Sequence, residues 1–71
     1  MYQLIDIFNN VIISKHRTLE NAIKAKIKHS KVIQNVHGKD AYIPMEIKNN
    51  GQRITSDEYF TSLKNVLHAE L

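Results

Sequence analysis

The sequence predicts an α+β domain in the order ββαββα, with two β-hairpins in a mostly antiparallel four-stranded sheet and two helices on one face. Three observations lead there. The turn signals Asn9-Asn10 and Asn49-Asn50-Gly51 each lie between short runs suited to β-strands. Each return run then gives way to a threonine followed by helical periodicity, at Thr18 and at Thr55. Finally, 71 residues with 42% hydrophobic content suffice for one globular core and not for two.

The first strand is expected over residues 2–8, where Ile5 and Ile7 alternate with Leu4, Asp6 and Phe8. Both faces therefore carry apolar side chains, interrupted by Asp6. Asn9-Asn10 can take the two positive-φ positions of a tight hairpin, because asparagine tolerates left-handed backbone. The β-branched run Val-Ile-Ile-Ser, residues 11–14, returns as the second strand.

Thr18 can accept a backbone N–H as N-cap, and Glu20 in the first turn complements the helix dipole. The first helix should span residues 19–36, closed by His37 and by Gly38 in a left-handed C′ position. At 100° per residue, Leu19, Ile23 and Ile27 share one side, with Ala22 and Ile33 extending the arc. Lys24, Lys28 and Lys31 fall opposite, with Asn21 and Asn35, while Ala25, Val32 and Val36 form a smaller apolar flank. Lys26 falls inside the apolar arc, which calls for a snorkelling side chain.

Residues 41–48 form the third expected strand. Ala41, Ile43, Met45 and Ile47 point one way, and Tyr42, Pro44, Glu46 and Lys48 the other. Pro44 has no N–H to donate, which marks this as an edge strand or a bulge. Asn50-Gly51 turns the chain into a short fourth strand over residues 52–55. Thr55 and Glu58 then have capping-box spacing for a helix over residues 57–69. Its apolar stripe reads Tyr59, Phe60, Leu63, Val66, Leu67 and Leu71. The expected core joins Leu19, Ile23, Ile27 and Ile33 to Phe60, Leu63 and Leu67.

Both halves read strand, asparagine turn, strand, helix. Asn10 precedes Thr18 by eight residues and Asn50 precedes Thr55 by five, so the halves do not superpose residue by residue. Independent use of the same turn chemistry accounts for the likeness.

No cysteine is present, which excludes disulfides and thiolate metal sites. The apolar runs are far shorter than the roughly 18–20 residues of a membrane span. MYQLIDIF lacks the basic start and apolar stretch of a signal peptide, so a cytoplasmic, non-membrane protein is expected. A net charge of +3 gives mild attraction to polyanions. Eight of the ten basic residues are lysine, and the abundance of Ile, Lys and Asn is a bias that AT-rich coding DNA produces by itself.

Chemistry is sparse. His16, His29, His37 and His68 show no metal-binding spacing, and neither glycine belongs to a phosphate loop. Asp6 and Glu46 lie on different strands and could face each other, but paired carboxylates need a deep cleft to work as acid and base. The expectation is a non-enzyme without cofactor or metal.

The leading functional reading is a protein–protein interaction module whose partner is another protein or a second copy of itself in a homodimer. Tyr42, Pro44 and Glu46, on the outward face of an edge-type strand, are the candidate interface. The alternative is nucleic-acid binding through Lys15, Arg17, Lys24, Lys28 and Lys31, a basic row a phosphate backbone could use. Two arginines are few for base readout, and no strand motif of RNA-reading type surrounds Tyr2, Phe8 or Tyr42.

Overall fold

A computed structural model describes residues 1–70 of the chain. It shows an α+β fold in which β1 (Tyr2–Asp6), β2 (Val11–His16), α1 (Leu19–His37), β3 (Met45–Asn49), β4 (Gln52–Arg53) and α2 (Ser56–Glu70) follow one another. The sheet is antiparallel throughout, ordered β2-β1-β3-β4, with both helices packed against it. The two hairpins thus join through their first strands. β4 pairs only with Lys48 and Asn49, so β3 is internal at that end and an unpaired edge over Met45–Ile47, next to Pro44, as the sequence suggested.

Local chemistry sets the helix ends. Thr18 is extended, and its side chain accepts the Asn21 N–H at 3.2 Å. At the far end the Gly38 N–H reaches the Gln34 carbonyl at 2.9 Å. Gly38 has φ 107° and ψ 164°, which is not the expected left-handed helical conformation but an extended region open essentially to glycine alone. Thr55 caps α2 by accepting the Glu58 N–H at 3.2 Å. No helix among the described residues is long and apolar enough to cross a membrane.

The two turns differ. Asn50 and Gly51, with φ 51° and 85°, form a two-residue loop between the paired Asn49 and Gln52, as the sequence predicts. The first hairpin is wider than expected: residues 7–10 lie between the paired Asp6 and Val11, and only Asn10 has positive φ, 56°. Asp6 is the cause. Its carboxylate accepts the Asn9 N–H at 3.1 Å and the Asn9 side-chain amide at 2.8 Å, building the loop around Asn9 instead of placing that residue in a left-handed turn. The Ile7 N–H bonds to the Pro44 carbonyl at 3.0 Å, so the chain continues the β1–β3 ladder past the end of β1.

β3 begins at Met45, later than the expected residue 41, because Pro44 has no donor with which to extend the ladder. In β2 the register skips one residue between the Leu4–Ser14 and Ile5–Ile12 pairs. Ile13 is the extra residue of this bulge, and it packs against the core beside the inward-facing Ser14.

Leu4, Leu19, Ala22, Ile23, Ile47 and Val66 form the core. Leu4 and Ile47 are cross-strand partners, so they present one apolar pair from the sheet's centre to both helices. Tyr2, Ile27, Met45, Ile54, Tyr59 and Leu63 pack around it, half-buried. Three expected core residues are displaced. Ile33 is half-buried but not packed against the core as Ile27 and Leu63 are, and Phe60 and Leu67 remain 59% and 50% exposed. The buried face of α2 is instead Tyr59, Ser62, Leu63 and Val66, and these three- and four-residue spacings put Phe60 and Leu67 on its flank. Leu71, counted in the same stripe from sequence, lies outside the described residues.

Candidate interaction surface

Strand alternation and register assign every sheet residue to a face. Leu4 and Ile47 are buried under the helices, so Gln3, Ile5, Glu46 and Lys48, their neighbours along β1 and β3, occupy the opposite face. Pairing extends that face to Ile12 and Lys15 on β2 and to Arg53 on β4. Both helices deliver their buried residues to the Leu4–Ile47 side, and this outer face carries neither of them. The molecule is a two-layer slab, 18 Å in its shortest dimension, with helices on one side and open sheet on the other.

The open face is ordered into rows running across the strands. One row reads Lys15, Gln3, Lys48, Arg53, each paired with the next. The adjoining row reads Ile12, Ile5, Glu46. Beyond it the Ile7–Pro44 hydrogen bond continues the ladder. Ile7 and Ile12 are 50% and 46% exposed, and at the same end Phe8 and Tyr42 are both 81% exposed. One end of the sheet is therefore apolar and the other cationic. The Arg53 Nε bonds Glu46 at 3.1 Å and ties the two rows together.

The candidate interface from sequence sits here. Glu46 lies in the second row, half-buried and paired with Arg53. Pro44 sits beside Ile7, and Tyr42 extends from the loop that precedes β3. The structure brings all three to the hairpin end, where Ile7, Phe8, Val11 and Ile12 join them. Sequence reading missed those four, because their neighbourhood depends on β1 and β3 being paired.

The candidate nucleic-acid contacts are not brought together. Lys24, Lys28 and Lys31 are exposed on α1, on the helical side of the slab. Lys15 belongs to the cationic row on the opposite face. Arg17 lines an open depression of about 600 Å³ between the starts of the two helices, beside Glu20, Asp57 and Glu58. That acidic surrounding separates Arg17 from the lysine row electrostatically.

Asp6 and Glu46 do not face each other. Asp6 shares the helical face with Leu4, while Glu46 pairs with Ile5 on the open face. The Asp6 carboxyl is held below its ordinary value of 3.8 by the Asn9 side-chain amide first, then by the Asn9 backbone N–H. The Phe8 backbone and the charge of His29 add to this, and partial desolvation opposes it. Its role is to fix the first loop. Lys26 does more than snorkel to water: its ammonium donates to the Tyr59 hydroxyl at 3.1 Å in a half-buried contact that joins the helices. His16 shares a 2.8 Å hydrogen bond with the Ser14 hydroxyl. Among the described residues no three acidic or imidazole side chains converge as metal ligands.

Comparison with protein families, with curated proteins and with solved structures gives no match to this chain.

Proposed function

We propose that the protein is a small non-enzymatic interaction module that contacts another protein, or a second copy of itself, through the apolar end of its open sheet face. The observation that supports this reading most strongly is the exposure of Ile7 and Ile12 on the side the helices leave free, with the exposed Phe8 next to Ile7 in the first loop and Tyr42 in the loop before β3. Scattered exposed apolar residues need no explanation, but Ile7 and Ile12 share one end of one face. The separation of Asp6 from Glu46 leaves the two carboxylates without a shared substrate, which supports a binding role over acid–base chemistry.

Size limits the strength of the contact. Three strands of five or six residues and one of two, spaced ~4.8 Å apart, give a face of roughly 300 Å². That is well below the ~800 Å² per partner of a standard stable interface, so the contact belongs to the transient class. Tyr42 and Phe8 at the rim enlarge it.

The test combines capture and sedimentation. The tagged protein should retain a partner from its native host, and the Ile7→Ser/Ile12→Ser variant should lose it while keeping its melting temperature. Equal capture by the variant would refute the reading. Sedimentation at micromolar concentration distinguishes a homodimer from a different partner.

Nucleic-acid binding is the second reading, favoured by Lys24, Lys28 and Lys31, which are exposed in one row and have no ion-pair partner among the described residues. It requires an electrophoretic shift with DNA or RNA that weakens steeply with salt and in the Lys24→Ala/Lys28→Ala/Lys31→Ala variant. The absence of a shift at low salt dismisses it.

A further inference from the structure

The docking surface proposed above ends in a cationic row, whose charge bears on the kind of surface that fits it. Lys15, Lys48 and Arg53 come from three different strands and are aligned only by the sheet register. Lys15 and Arg53 are exposed and Lys48 is half-buried. Glu46 is the acid within these rows, and it engages only the Nε of Arg53, whose side chain stays 82% exposed. Among the described residues no salt bridge engages either lysine.

We propose that the open face binds an acidic amphipathic segment of a partner protein, with carboxylates on the Lys15–Lys48–Arg53 row and apolar side chains on Ile5, Ile7 and Ile12. This rests on the module reading and adds the chemistry of the partner. The rows lie across the strands, two residues or ~7 Å apart along them. A helix laid crosswise, apolar beneath and acidic along one flank, meets both rows at once.

Charge complementarity selects this occupant over a second copy. Packing two open faces about a two-fold axis along the strands sets each cationic row against its own copy. Turning the axis across the strands sets Lys48 against the second copy's Glu46, which already holds Arg53, and sets Lys15 against its Ile12, stripping water from that lysine without a counter-charge. Single-stranded nucleic acid fits less well. The sheet rows offer aliphatic side chains where bases need aromatic stacking platforms, and Glu46 repels phosphate beside Arg53.

The test is a titration of the ¹⁵N-labelled protein followed by amide shifts. The probe is a helical peptide of about 14 residues, ~21 Å long, enough to cross a sheet about 14 Å wide. It carries leucines on one face and glutamates along the adjoining flank. Shifts should centre on Ile5, Ile12, Lys15, Lys48 and Arg53. Replacing the peptide's glutamates by glutamine should weaken binding about tenfold or more at low salt, with the difference shrinking as salt rises. The Lys15→Glu/Lys48→Glu variant should reverse the preference and take a lysine-bearing version of the peptide. Should that variant unfold, the exposed Lys15→Gln variant alone should still lose affinity for the glutamate peptide.

Equal binding of the glutamine peptide, shifts on another face or no shifts with any peptide would each overturn the proposal. So would tighter binding of an oligothymidylate to the same row, or self-association that occupies the face. The module reading fails separately, when the Ile7→Ser/Ile12→Ser variant captures partner as the wild type does.

Discussion

The rotation of α2 about its axis decides which side chains hold the two helices together, and a pair of adjacent substitutions measures it. Val66 is 1% exposed and Leu67 is 50% exposed. Val66→Ala removes two buried methyl carbons at ~0.8 kcal/mol each. An unfilled cavity adds up to about 1 kcal/mol, so the loss is about 2–3 kcal/mol. Leu67→Ala removes three carbons from a site half open to water and leaves no closed cavity, for about 1 kcal/mol. A domain this size has ~4–10 kcal/mol of stability, so the first loss is a large share and the second a small one. At about 4–8 °C per kcal/mol, Val66→Ala should lower the melting temperature by about 10–20 °C and Leu67→Ala by roughly 5 °C. Circular dichroism at 222 nm across a thermal ramp, with reversibility confirmed, reads both. Equal losses, or a larger loss at Leu67, would mean that α2 docks through the Phe60–Leu67 side and would refute the core described above.

Gly51→Ala, at φ 85° in a two-residue turn, should cost ~1 kcal/mol in urea denaturation without changing the slope. Gly38→Ala should cost about 1–3 kcal/mol through backbone strain alone, because no atom lies within 4 Å of the added methyl. The Asp6 carboxyl has a depressed folded-state pKa, so its charged form adds stability above the unfolded-state value, and this is lost as the pH falls through the folded value below 3.8. Asp6→Asn should therefore unfold more easily than the wild type at neutral pH, with the difference closing only in that acid range. A difference that persists unchanged into acid would separate Asp6 ionisation from the stability of the loop.

Local signals in the sequence were dependable. Thr18, Thr55 and the Asn50-Gly51 pair place two helix starts and one turn through contacts within a few residues, and each works in the structure as its chemistry predicts. The first turn departed because Asp6, read as an interruption of a strand, instead accepts both Asn9 donors and widens the loop. The strand order could not be read, because it depends on pairing across some forty residues, as between Leu4 and Ile47. That one pairing joins the hairpins and sets Pro44 beside Ile7, while the other side of β3 stays an unpaired edge over Met45–Ile47, as Pro44 suggested. The wheel for α2 was too generous: six apolar positions spread over a wider arc than one packed face accepts, and only docking against α1 selects among them. The candidate surface was half legible. The outward parity of Tyr42, Pro44 and Glu46 follows from one strand, whereas the alignment of Lys15, Lys48 and Arg53 needs all four.

The central claim is that the open sheet face, and not the lysine row of α1, meets the partner. Site-specific photocrosslinking in cells tests it most directly, with a benzophenone amino acid placed at position 12 on the open face or at position 28 on α1. The account predicts a discrete protein adduct from position 12 and none from position 28. An adduct from position 28 alone, or nucleic acid as the crosslinked species, would contradict it.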